Sequence, residues 1–290
     1  MLRLIDHLSE VSDQYDALFV DLWGCVHNGL EPFSAAVKAL QAYRASGGIV
    51  ILVTNAPRHR ASVALQLEKI GVAEDCYDDI ATSGDSARAA MFTGAVGTRV
   101  YFMGQRHDEA FFDPLALIED PVEITRVPLS EAEGIVCCGP FDPHADPSES
   151  RADLLYAKQK GMKLLCANPD IVVDRGAERE WCAGKLAEMY TEMGGTSLYF
   201  GKPHPPIYDL ARLRLEARRS GLETSRIRAI GDGIHTDIKG SLGEDIDSLF
   251  ITGGLAAEET GTDQQPTPEK LDAFVAQTGI APTYAIGFLR

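Results

Sequence analysis

"ALFVDLWGCVHNG", residues 17–29, is the stretch on which the fold turns. Four apolar residues, Ala17 to Val20, have the length of a buried strand, and the run stops at a carboxylate, Asp21, which opens a turn carrying Gly24 and Gly29. Two further runs have the same form: Ile49 to Val53 before "TNAPR", and Ile227 to Ile230 before "GDGIHTD". Each leads toward a helical pattern. After the first comes "PFSAAVKALQAYRASGG", with Ala36, Val37, Leu40 and Tyr43 at helical spacing and Gly47-Gly48 as the stop. Strand alternating with helix predicts βαβ units, hence a doubly wound parallel sheet. Ligands collect at the carboxyl ends of strands in such sheets. Asp21, Thr54 and Asp232 each stand just past a strand, so they are expected to converge.

The segment from about Thr82 to Gly195 carries an alternation of its own: strands at "RVYFMG", "GIVCCG" and "MKLLCA", and helices at Ser150 to Lys160 and near Gly184 to Met193. The first alternation resumes at "SLYFGKPHPPIYDLARLRLEARR". The predicted organisation is therefore a core built from residues 1–81 and 196–290, with an α/β domain of residues 82–195 inserted into it.

The totals exclude some functions. A formal charge of −16 over 290 residues gives no long-range attraction to nucleic acid or to an anionic membrane surface, so an anionic substrate needs a local cation. The first ten residues, "MLRLIDHLSE", hold Asp6 and Glu10 and lack the apolar core of a signal peptide. No apolar run reaches the roughly 18 residues of a membrane span. The 6 cysteines form no C-x-x-C pair and are expected to be reduced, mostly buried thiols of a cytoplasmic protein.

Four pieces in order suit phosphoryl transfer: Asp21 after one strand, Thr54-Asn55 after the next, Lys202 in "FGKPHPP", and Asp232 with Asp237 in "GDGIHTD". A carboxylate can attack phosphorus, a hydroxyl and backbone N–H groups can hold its oxygens, a lysine supplies a point charge, and an aspartate can hold Mg²⁺. With "TNAPR", "TSGDSA", "CANPD", "GKPHPPIY" and "GDGIHTDIKGS" in this order, nearly the whole chain resembles the haloacid-dehalogenase-like (HAD) hydrolases. The similarity is to the class IIA branch of nucleotide and p-nitrophenyl phosphatases, which carries a large α/β cap. The resemblance implies a HAD-like Rossmannoid core and a small phosphorylated substrate of sugar phosphate or nucleotide type. It implies Asp21 as the nucleophile that becomes a phosphoaspartate, Thr54 and Asn55 as the phosphate-holding pair, and Lys202 as charge stabiliser. Mg²⁺ is then expected on Asp21, the Trp23 backbone carbonyl and Asp232, with Asp237 orienting the metal shell. Asn168 and Asp170 belong to the cap stretch at the active-site entrance, and Arg58 is placed to meet a substrate anion. Arg175, Arg179 and Trp181 in "DRGAEREWCAG" read as a surface loop leading to a helix, with Trp181 packed under it; a part in the substrate lid is the alternative. Cap-to-cap dimers occur among relatives, so a homodimer is a further expectation.

One position departs from the family. Its phosphatases read D-x-D in the first motif, whereas this chain reads Asp21-Leu22-Trp23. The missing carboxylate protonates the leaving alkoxide and later deprotonates water, and an indole N–H does neither. General acid–base assistance is worth about 10²–10⁴-fold, or roughly 3–5 kcal/mol, so its loss weakens a phosphatase without abolishing it. Three readings stay open: a Mg²⁺-dependent phosphatase suited to good leaving groups or using a substitute such as His27 or His235; a protein that binds a phosphorylated ligand without turnover; and a metal-independent dehalogenase-type hydrolase. Both histidines are expected to be turn residues exposed to water.

Overall fold

The computed structural model describes residues 2–114, 118, 120–175 and 178–290, the side chains of Asp174 and Arg175 excepted. The lid alternative for Arg175 therefore lies outside the described residues. The chain divides into two compact units, one of residues 1–54, 64–81 and 208–290, the other of residues 55–63 and 82–207.

The first unit is organised around a sheet with strand order Arg3–Leu4, Tyr284–Ile286, Asp247–Ile251, Ile227–Gly231, Ala17–Val20, Ile49–Thr54, Asp79–Thr82. Ala17–Val20 is an interior strand, the fifth of seven, parallel to both neighbours, and all four of its residues are buried. A strand covered on both faces must be apolar throughout rather than alternating, which is why "ALFV" reads as a short unbroken run. Register brings the strand ends together: Val20 stands opposite Ile230 on one side and Leu52 on the other, so Asp21, Asp232 and Thr54 leave the sheet at the same end. Helix Ser34–Ala45 buries Ala36, Val37, Leu40 and Tyr43, the face its spacing specifies. Another helical layer packs through Ile234, Ile238, Ala256 and Leu271 onto Phe250 and Ala285.

The second unit has a five-stranded parallel sheet in the order Thr196–Tyr199, Lys163–Cys166, Gly134–Cys137, Arg99–Met103, Thr125–Arg126, and a separate antiparallel pair, Val172–Arg175 with Glu178–Trp181. Its buried strands send alternate residues to opposite faces. Ile135, Cys137, Leu164 and Cys166 pack beneath the helices Arg151–Gln159 and Ala183–Glu192, while Val136 and Leu165 face Ala87, Met91 and Phe92 of helix Ser83–Phe92. The division differs from the sequence expectation in two places: residues 55–63, expected in the core, fall in the second unit, and so does the stretch that follows residue 195. Thr196–Tyr199 pairs with Lys163–Cys166 in this second sheet, so residues 196–207 fall in the second unit and the first resumes at 208. A four-residue strand reading Thr-Ser-Leu-Tyr carries no mark of which of two parallel sheets it will join.

All six cysteines are buried and none is in a disulfide. Burial pushes the Cys137 thiol up to about 12 and the Cys76 thiol up to about 11, so these groups are inert packing residues at neutral pH. Among the described residues no helix is long and apolar enough to cross a membrane.

Candidate active site

In the first unit, the carboxylates predicted to converge do so. Asp21 donates its backbone N–H to the Ile230 carbonyl at 2.8 Å, which extends the strand pairing to Asp21 itself. Asp21, Cys25 and Asp232, all buried, each offer a ligand atom, and these atoms lie within 4.8 Å of one another. Thr54 is buried at the end of its own strand.

The backbone is shaped around Asp232. Its Oδ2 accepts the Leu255 N–H at 3.0 Å. Gly24, at φ +71°, and Gly254 flank the same oxygen: a Cβ on either would stand 2.1 Å and 2.0 Å from it, respectively. Both positions therefore need glycine for close approach, and Gly24 also for its left-handed backbone. Two buried carboxylates side by side repel each other, and a divalent cation between them relieves that repulsion. The hard oxygens of Asp21 and Asp232 are the donor type that Mg²⁺ takes, so the residues fit the ion that the resemblance implies.

Asp237 stands outside this group. Its Oδ2 accepts the Gly233 N–H at 3.1 Å and the Thr236 hydroxyl at 3.4 Å, within a π-type turn, Ile234–Ile238, that leads into helix Lys239–Gly243. It is placed to set the shape of the loop bearing Asp232.

The indole of Trp23 packs back on its own turn. Its ring meets His27 edge-on with centroids 5.1 Å apart, and a Cβ on Gly29 would come within 2.3 Å of it. His27 corrects the sequence expectation: it is 1% exposed, not a solvated turn residue, and its Nδ1 accepts the Gly29 N–H at 2.9 Å. That bond leaves the neutral ring protonated on Nε2. The turn closes on itself through these side chains, which a reading by residue type could not anticipate. His235 is exposed as expected.

In the second unit, Asn55, Asp170 and Lys202 come together. Asn55 donates through Nδ2 to Asp170 Oδ1 at 2.8 Å and to the Lys202 carbonyl at 3.1 Å, while its Oδ1 accepts the Lys202 N–H at 2.7 Å. Its amide is thus a clamp on the lysine's backbone. Asn168 accepts the Asp170 N–H at 3.0 Å, forming an Asx turn that fixes Asp170. Gly201 has no room for a side chain, since its Cβ would lie 2.4 Å from Asn55 Oδ1. Arg58 is half-buried, with its carbonyl accepting the Thr82 hydroxyl at 2.7 Å.

Asn55→Ala removes all three bonds and strands the buried Lys202 N–H, a loss of about 1–3 kcal/mol. Asn55→Asp keeps the acceptor but sets a carboxylate against Asp170, and is expected to lower the urea midpoint further than Ala does. The reverse order of midpoints would contradict the clamp.

Sequence reasoning missed Cys25, which reads there as one of six packing thiols, and it missed the Gly254-Leu255 loop. Neither carries a local signal, because both act through Asp232, more than twenty residues away in the chain for Leu255 and far more for Cys25.

Comparison with known proteins bears on the family and the fold. A family model described as haloacid dehalogenase-like hydrolase matches residues 18–116, and a second, HAD-hydrolase-like, matches residues 199–277. The solved structure of a haloacid dehalogenase-like family hydrolase from Brucella suis 1330 superposes with a TM-score of 0.86 at 37% identity, covering 99% of this chain and 100% of that one. A curated D-glycerol 3-phosphate phosphatase of Mycobacterium tuberculosis (strain ATCC 25618 / H37Rv) is 26% identical over 261 residues, which is 86% of this chain but only 66% of that enzyme's length. The crystal structure of a glycerol phosphate phosphatase from Mycobacterium tuberculosis in complex with magnesium shares the fold, with a TM-score of 0.68, 23% identity, and coverage of 95% and 76%. On the strength of the full-length match, this chain belongs to the haloacid dehalogenase-like hydrolase family.

Proposed function

We propose that the chain is a Mg²⁺-dependent phosphatase of a small phosphorylated metabolite, acting through an aspartyl phosphate on Asp21. The observation that carries this reading is the pairing of Asp21 with Asp232 at the ends of neighbouring parallel strands, with ligand atoms within 4.8 Å. Asp21, the Trp23 carbonyl and Asp232 would hold Mg²⁺, whose positive charge offsets that of the phosphoryl oxygens. The Asp21 carboxylate would attack phosphorus as the P–O bond to the leaving group breaks and the alcohol departs, its oxygen taking a proton from water, while the Thr54 hydroxyl and the backbone N–H groups of its loop hold phosphoryl oxygens and the Lys202 ammonium supplies a further charge. Water then cleaves the acyl phosphate and restores Asp21. Asn55 and Asp170 serve by fixing Lys202, Asn168 by fixing Asp170, and Asp237 by fixing the Asp232 loop. Arg58 is a candidate anion contact. The names of the relatives favour a polyol or sugar phosphate over a nucleotide. Six buried thiols, none in a disulfide, favour the cytoplasm.

With Trp23 in place of the acid, the reading predicts strong dependence on the leaving group. Phosphate release from acetyl phosphate, glycerol 3-phosphate, sugar phosphates and a nucleoside monophosphate is expected with Mg²⁺ and not with EDTA. Trp23→Asp should raise turnover of the esters, by up to about 10²–10⁴-fold, and that of the acyl phosphate far less. Halide release from 2-haloacids without metal, or saturable ester binding with no turnover, would replace this reading. Removing the ring also empties its seat on Gly29 and His27, so the variant is expected to lose stability, by about 3–5 kcal/mol if the ring's site does not collapse.

A further inference from the structure

Cys25 has no part in the chemistry above, yet its sulfur belongs to the Asp21–Asp232 group, with ligand atoms within 4.8 Å. It also lines, with Gly24, Phe33, Ser34, Ala35, Phe288 and Leu289, a largely apolar cavity of about 230 Å³. Among the described residues this is a three-ligand set of mixed hardness. A four-coordinate ion held by oxygen at about 2.0–2.2 Å and sulfur at about 2.3 Å sets those atoms about 3.3–3.7 Å apart, so the three side chains close onto it from a spacing of at most 4.8 Å.

We infer that Cys25 is a third ligand that makes this centre selective for thiophilic divalent cations: Zn²⁺ or Co²⁺ binds as a carboxylate–carboxylate–thiolate complex and displaces Mg²⁺. The inference rests on the proposed role of Asp21 and Asp232 as the metal pair. The physical reason lies in the donors. Mg²⁺ gains from the two carboxylates and keeps its waters, and a thiolate adds nothing to a hard, reluctantly dehydrated ion. Zn²⁺ and Co²⁺ form strong bonds to thiolate and accept four-coordinate geometry, so two carboxylates, one thiolate and one water complete their shell. The thiol proton leaves to solvent as the bond forms. The other five cysteines are also buried, and none of them belongs to a group with two carboxylates among the described residues.

The metal-free chain, titrated anaerobically with Co²⁺, is expected to develop the near-ultraviolet thiolate-to-cobalt charge-transfer band, and Zn²⁺ should abolish it by replacement. Cys25→Ser should bind Co²⁺ without the band. In that variant the Zn²⁺ concentration needed to displace Mg²⁺ should rise at least ~100-fold, the upper end of what even supporting residues of a metal site cost, while Mg²⁺ affinity stays within about threefold. Thermal melting of the variant, with and without Mg²⁺, confirms that it is folded. A wild-type complex with no charge-transfer band, or a Cys25→Ser variant in which Zn²⁺ displaces Mg²⁺ as readily, overturns the inference. Asp232→Asn separates the two levels: if it binds Mg²⁺ like wild type, the metal pair and the inference both fall. If it loses Mg²⁺ while the wild type shows no band, only the role of Cys25 does.

Discussion

Asp21→Asn is expected to give a folded protein that releases no measurable phosphate. The substitution keeps the size of the side chain, and the backbone bond to Ile230 does not depend on it. What disappears is the oxygen nucleophile, since a carboxamide forms no stable acyl phosphate. Removal of a covalent nucleophile costs more than removal of an acid–base partner, and a fall on the order of 10⁴-fold or more in kcat is expected. The comparison with Trp23 gives this number its use. The chain already lacks the group worth about 10²–10⁴-fold, so the remaining acceleration rests on nucleophile, cation and positioning. Intact mass after rapid acid quenching should show a phosphoryl adduct on the wild type and none on Asp21→Asn. Phosphate release by the variant within tenfold of wild type would mean that water attacks directly, and the aspartyl phosphate would have to be abandoned.

How far was this site legible in the sequence? Asp21 and Asp232 were, because parallel pairing turns a pattern into a distance: an apolar run ending in a carboxylate says where the strand stops, and register does the rest. Asn55 is expected from the sequence as one of a phosphate-holding pair, and what its amide touches is not legible there. Its three bonds run to Asp170 and Lys202, and nothing in "TNAPR" reports on loops so far along the chain. His27 was misjudged for a related reason. Its burial comes from Trp23 and Gly29 folding the turn back on itself, a packing effect between near neighbours that residue-type preferences ignore. The allocation of Thr196–Tyr199 is not legible in the sequence, since a four-residue strand pairs in parallel in either sheet and its partner lies more than thirty residues away. Periodicity thus encodes which residues are covered, whereas partner choice is settled by tertiary packing that one sequence does not display.

Glycine provides the second large effect, and a control for it exists in the same unit. Gly254→Ala places a Cβ 2.0 Å from Asp232 Oδ2 and 2.5 Å from its Cβ, and real atoms cannot occupy those positions. Either the Leu255 N–H bond to that oxygen or the position of the carboxylate must yield. Gly24→Val adds a β-branched side chain at φ +71° on the opposite flank, 2.1 Å from the same oxygen, so strain and collision act together. Gly47→Ala is the control. Its φ of +95° is equally unfavourable for a side chain, yet nothing stands within 4 Å. It should cost about 1–2 kcal/mol of stability and leave Mg²⁺ affinity unchanged. Gly254→Ala and Gly24→Val should instead weaken Mg²⁺ binding by on the order of 100-fold even where circular dichroism shows them folded, because a carboxylate displaced by an ångström no longer shares a cation with Asp21. Calorimetric titration with Mg²⁺ on the three variants decides the matter. If Gly254→Ala binds the ion as Gly47→Ala does, the closely fitted backbone around Asp232 has nothing to do with the metal. The glycines would then be needed only for folding the loop.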